Sequence, residues 1–100
     1  MRDRIDFQAL NAVAIRALPI LLPRWLSDGR RRGNEFIAKN PTRADGSAGS
    51  FSINMNTGKW SDFATGDRGG DPVSLAAYLF RLSQIEAARR IAEMLNIRGA

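Results

Sequence analysis

The sequence predicts an α+β domain: a small antiparallel sheet with an N-terminal helix and a C-terminal helix hairpin. Three observations carry this. Apolar residues recur at helical spacing from Phe7 to Leu18. "FSINM" (51–55) alternates with period 2 and is followed by a turn and an aromatic return segment, "KWSDF". Two helix starts follow, at Asp71-Pro72 and at Ser83. The 100 residues fit one domain, 1–100, with a helical segment at 6–26, the sheet within 35–63 and two helices over 72–96.

Asp6 is the expected N-cap of a helix over 6–18, with Phe7, Leu10, Val13 (beside Ala14) and Leu18 on one face. Pro19 is expected to end or kink it, and Pro23 to open a short second turn carrying Trp25 and Leu26. Trp25, beside Leu21-Leu22, reads as structural. Gly29 breaks the chain before "RRRGNEFIAKNP". Residues 35–38 form a short strand, since Phe36 and Ile37 favour strands and turn residues bracket them. "NPTRADGSAGS" (40–50) is polar and small, hence a loop. In 51–55, Phe51, Ile53 and Met55 take one face, Ser52 and Asn54 the other. "NTG" turns the chain into the partner strand, giving two or three strands in all.

"WSDFATGDRGGDP" (60–72) is too glycine-rich for a helix or strand interior. It reads as a tight knuckle between strand and helix, with Gly66, Gly69 and Gly70 supplying positive φ. Pro72 then opens a helix whose face is Leu75, Leu79 and Leu82. Ser83 and Glu86 form a capping box for the last helix, with Ile85, Ala88, Ala92 and Leu95 as its stripe. Gly99 follows its end.

The chain has no cysteine and no histidine. Disulfides, thiol catalysis, a Ser/His/Asp triad and Cys/His metal sites are thereby excluded. A carboxylate site for a hard cation is the one metal option, on Asp62, Asp67 and Asp71, but their spacing does not fit an EF-hand and Asp71 is already a cap. The glycine loop matches neither a P-loop nor a dinucleotide fingerprint. No catalytic constellation is visible, and no cofactor is expected. "ALPILLP" is far below the ~20 apolar residues of a membrane span, and nothing before it resembles a signal peptide. The expected location is cytoplasmic, without a membrane partner.

The net charge is +5, and Lys39 and Lys59 are the only lysines. Arginine's planar fork of donors favours phosphate, so a polyanionic partner is expected. Arg30, Arg31 and Arg32 form the densest basic run. They precede a sheet that also carries Lys39, Arg43, Lys59 and Arg68, and together these are the candidate phosphate-binding residues. Trp60 and Phe63 are candidates for stacking on unpaired bases. Core packing is the preferred reading for both, and Trp60 is kept among the site residues. Arg81, Arg89 and Arg90 read as solvated helix faces.

Over residues 35–95 the sequence resembles the N-terminal zinc-ribbon domain of bacterial and phage DNA primases. That family shows a Cys-Pro-x-His knuckle, a Pro-Ser-Phe-x-Val strand, an aromatic strand, a Cys-x-x-Cys knuckle and a Gly-Asp helix start. A helix with a Glu-Ala pattern follows. Asn40-Pro41-Thr42-Arg43 stands at the first knuckle, Gly49-Ser50-Phe51-Ser52-Ile53 at the strand and Asp62-Phe63-Ala64-Thr65-Gly66 at the second knuckle. Gly70-Asp71-Pro72-Val73-Ser74-Leu75 matches the helix start and Glu86-Ala87-Ala88 the last helix. All four ligand positions are replaced, by Asn40, Arg43, Asp62 and Thr65. The resemblance therefore implies a zinc-ribbon-like but metal-free fold, in which Asp62 and Arg43 face each other as an ion pair.

What the resemblance implies for function is a template-binding module of a phage, plasmid or mobile-element primase or primase-helicase in DNA replication. Its partners would be single-stranded DNA and a primase catalytic domain or helicase, and the module itself would not be catalytic. The alternative is a protein-interaction adaptor that docks a replication enzyme through the helix hairpin or the 6–26 segment. A cation-dependent enzyme built on Asp62, Asp67 and Asp71 ranks last.

Overall fold

The computed structural model describes residues 5–43 and 49–96. Asp6 caps the first helix, its carboxylate accepting the Ala9 N–H at 3.0 Å. Helix α1 spans Phe7–Arg16 and α2 spans Leu18–Trp25, with the break at Ala17. Pro19 thus sits in the first turn of α2, where its missing N–H has no helical partner to lose. Pro23 lies inside α2. Both prolines are exposed, while Leu18, Leu21 and Leu22 are buried on the other side. The helical segment is therefore longer than a single turn opened by Pro23.

The sheet has five strands in sequential order, all antiparallel: β1 Arg30–Arg32, β2 Glu35–Ala38, β3 Phe51–Asn54, β4 Trp60–Asp62 and β5 Arg68–Gly69. Two or three were expected. The extra ones are edge strands of arginine and glycine, which carry no alternating apolar signal and are defined by backbone pairing alone. A two-residue turn joins β1 to β2, with Gly33 at φ 61, a conformation costly for a residue with a Cβ.

The register sets two rows that each cross all five strands. Arg31, Phe36, Ile53, Trp60 and Gly69 lie on one face, and Arg30, Ile37, Ser52, Ser61 and Arg68 on the other. The first face packs on the helices: Phe36, Phe51, Ile53 and Trp60 join Leu18, Leu22, Leu26 and Leu75 in one core cluster. Each such side chain contributes about 1.5–3 kcal/mol by burial. Of the three knuckle glycines, Gly66 alone takes positive φ, at 84. Gly69 is required for space instead, because a Cβ there would come within 2.4 Å of Trp60 Nε1.

Helix α3 runs Pro72–Phe80 and α4 Gln84–Met94. Both start in capping boxes, Asp71 with Ser74 and Ser83 with Glu86, and α3 ends at Arg81 in the left-handed conformation, φ 56. A second core cluster joins Leu10 and Ala14 of α1 to Val73 and Ala76 of α3 and Ala87, Ala88 and Ile91 of α4. Alanines let these helices approach closely. The buried stripes are accordingly shifted from the expected ones: Phe7, Val13 and Ile85 are exposed. Gly99 and residues 44–48 of the expected loop lie outside the described residues.

Candidate functional site

The strand residues packed on the helices all belong to one face, so among the described residues no helix covers the other face of the sheet. It is polar and cationic. Arg30 and Arg68 stand at opposite ends of its longest row, and Arg32, Glu35 and Asn54 form the adjacent row. Lys39 continues β2 and borders a shallow cleft with Arg30, Arg32, Ile37 and Asp28, whose carboxylate accepts the Lys39 backbone N–H at 2.8 Å. Lys59 and Arg68 border a second cavity on this face, of about 270 Å³, together with Glu35, Ser52, Asn54 and Phe63. Five of the eight candidate residues, Arg30, Arg32, Lys39, Lys59 and Arg68, are therefore brought together.

The other three are placed elsewhere. Arg31 lies in the row of the opposite face, and its Nε donates to the Gly33 carbonyl at 2.9 Å. Alternation within a strand separates it from its two neighbours. Arg43 is engaged by Asp62. Trp60 is only 5% exposed. Its indole N–H donates to Ser74 Oγ at 3.0 Å, and its ring lies 4.6 Å from that of Tyr78. It edges the outer-face cavity but offers little surface for stacking.

Phe63 offers that surface. It is 78% exposed, beside the outer-face cavity, where core packing was the preferred expectation. The sequence held the correction: residues 60 and 63 are an odd number apart, so one strand period cannot bury both.

Below β3 and β4 the two loops of interest meet in a buried polar knot. In each, the first side chain accepts from the amide two residues on, Asn40 Oδ1 from Thr42 N–H and Asp62 Oδ1 from Ala64 N–H, both at 2.9 Å. In each, the first carbonyl accepts from the amide three residues on, Asn40 from Arg43 at 3.4 Å and Asp62 from Thr65 at 3.3 Å. Two knuckles of the same hydrogen-bond pattern thus face one another. Asn40 Nδ2 donates to Asp62 Oδ2 at 2.8 Å, and Arg43 Nε donates to the same oxygen at 2.9 Å. The pair of Arg43 and Asp62 anticipated from the sequence is formed.

Tyr78 closes the knot. Its Oη accepts from Asn40 Nδ2 at 2.8 Å and donates to Asp67 Oδ2 at 2.7 Å. Asp62 is fully buried and ionised: hydrogen bonds from Arg43, then from Asn40 and the Ala64 amide, hold its carboxyl well below the usual range against the opposing effect of burial. The three loop acids do not converge. Asp62 binds Arg43, Asp67 accepts from Tyr78, and Asp71 caps α3. Among the described residues no group of three metal-ligating side chains is present, and no helix is long and apolar enough to cross a membrane.

Compared with known proteins, the chain matches no protein-family model and no curated protein.

Proposed function

We propose that the domain is a non-catalytic, single-stranded DNA-binding module of a primase-type replication protein, using the open sheet face. The observation that carries this reading is the five-cation outer face with one exposed aromatic, Phe63, beside a base-sized cavity. Cations along the rim match the backbone phosphates, which set affinity without reading sequence. An exposed ring beside them suits unpaired bases, whose stacking is worth about 1–3 kcal/mol each. Duplex DNA offers no such ring-accessible bases without distortion, so a single strand is the favoured ligand.

The primase part of the reading rests on the resemblance and is supported by the paired knuckles. Asn40, Arg43 and Asp62, three of the four residues at the family's ligand positions, converge through side-chain bonds of 2.8–2.9 Å. Thr65 contributes differently, its hydroxyl accepting the Asp67 amide at 3.2 Å. On this reading an ion pair and its hydrogen bonds stand where the family carries zinc. A catalytic domain or helicase would act on the strand that this module holds.

The adaptor reading has one observation in its favour. Phe80 and Met94, 45% and 40% exposed, border an apolar cleft with Trp25, Ala76 and Ile91 on the helix side. Titrating short oligothymidylates by fluorescence anisotropy over a salt series separates the two. The DNA-binding reading requires affinity to fall steeply with salt and to weaken when Arg30, Arg32 and Lys39 become alanine. Flat, weak binding that ignores those changes supports the adaptor.

A further inference from the structure

We infer that the cavity beside Phe63 is a single-base subsite selective for guanine, an inference that rests on the single-strand reading above. Its volume of about 270 Å³ lies below the range of sites that enclose a whole small-molecule ligand. The exposed Phe63 ring supplies one stacking face. Glu35 supplies the selectivity, because among the described residues it is the carboxylate that borders this cavity, beside Lys59 and Arg68.

Glu35 is held in a fixed orientation. One oxygen, Oε1, accepts the Ser52 hydroxyl, and the other, Oε2, accepts the Asn54 side-chain amide at 3.1 Å. Among the described residues no cation forms an ion pair with it. A carboxylate has about four lone-pair sites, so one on each oxygen remains. It accepts and cannot donate, and its charge repels phosphate; the group it holds must be a base edge that brings donors.

Guanine alone presents two adjacent donors, N1–H and the N2 amino group, spaced for the two oxygens. Adenine and cytosine set one amino group beside an acceptor nitrogen. Thymine sets one imide N–H between two carbonyls. In each of these an acceptor would face the carboxylate. Two of guanine's acceptors, O6 and N7, match the cations Lys59 and Arg68 that border the same cavity.

The test is anisotropy at fixed low salt with the full chain and short oligothymidylates carrying one central deoxyguanosine, inosine or thymidine. The guanine strand is expected to bind about tenfold tighter than the all-thymidine strand, a gain typical of a bidentate contact. Inosine, which lacks the N2 amine, falls between them. Glu35→Gln removes the guanine gain and leaves the all-thymidine strand bound at least as tightly, with the unfolding midpoint checked in parallel. The base-analogue series on the unaltered protein does not depend on that variant folding. Equal affinity for guanine and thymine strands overturns the subsite while leaving the proposed function standing, as does a guanine preference that survives in a folded Glu35→Gln. Absence of salt-sensitive binding to any strand overturns both.

Discussion

The side-chain amide of Asn40 and the carboxylate of Asp62 meet at 2.8 Å, with 1% and 0% of their surfaces exposed. They are the leading residues of two knuckles that share one backbone pattern. Polar side chains this buried are tolerated only when fully bonded. Here Arg43, Thr42, Tyr78 and the Ala64 amide complete the set. The knot fixes the ends of β2 and β4 relative to α3, and so holds the outer sheet face in shape.

Arg43 is the member whose loss is expected to hurt most. Arg43→Ala leaves a buried carboxylate with its main counter-charge removed, a class of change that costs about 3–5 kcal/mol. The lower end, ~3 kcal/mol, is expected because Arg43 is itself 30% exposed. Urea unfolding of the two proteins measures this directly. Against a total of about 5–15 kcal/mol for a small domain, the loss is a large fraction.

Acid should act through the same pair. The folded carboxyl of Asp62 titrates below its unfolded value, chiefly through Arg43. Its contribution is therefore complete above the unfolded value of about 4 and is lost as pH falls from there toward the folded value. Stability is expected to be level on this account above pH ~5 and to drop steeply below ~4. Asp62→Asn, though less stable at neutral pH, should show a shallower acid transition.

The two aromatics of "WSDF" should separate stability from binding. Trp60→Ala is expected to destabilise by about 3–5 kcal/mol, as for other large buried side chains. Phe63→Ala should leave the unfolding midpoint nearly unchanged and weaken binding to single strands by about 1–3 kcal/mol. Thermal melts and anisotropy on both variants give the comparison; a Phe63→Ala protein that melts early but binds normally would reverse the assignment.

Much of the architecture was legible in the sequence, because its signals are local. Asp6, Asp71 and Ser83 cap as their positions predict, and Phe51, Ile53 and Met55 are buried on one face. The edge strands were not legible, since Arg30–Arg32 and Arg68–Gly69 are held by pairing with a neighbour and carry no apolar pattern of their own. The sequence places the cationic candidates in and around the sheet segments, but which of them share a face follows from the register. Alternation alone separates Arg31 from Arg30 and Arg32, and Trp60 from Phe63. Glu35 carries no signal in the sequence, because its setting depends on Ser52 and Asn54, which approach it only across the strands.

If the two knuckles descend from a metal site, they should accept one again. Asn40, Arg43, Asp62 and Thr65 replaced together by cysteine are expected to bind zinc or cobalt with tetrahedral thiolate coordination. Cobalt absorption spectra and metal-dependent folding report it. Failure of a folded tetra-substituted chain to bind either ion would count against the proposed relationship to the zinc-ribbon family, while leaving the outer face to be judged separately.

The division of the arginine triplet gives a sharp comparison. Arg30→Ala and Arg32→Ala should each reduce the salt dependence of single-strand binding, by about 0.7 in log–log slope for every phosphate no longer neutralised. Arg31→Ala, on the opposite face, should change it little. Equal effects from all three would mean that net charge, rather than the outer face, governs binding.

The most direct measurement is a map of amide chemical-shift changes in the labelled protein on addition of a short oligothymidylate. The outer face should respond, at Arg30, Arg32, Ser52, Asn54, Ser61, Phe63 and Arg68, with α1 and α4 silent. Shifts confined to the cleft around Phe80 and Met94, or none at a concentration that saturates anisotropy, would contradict the sheet-face account.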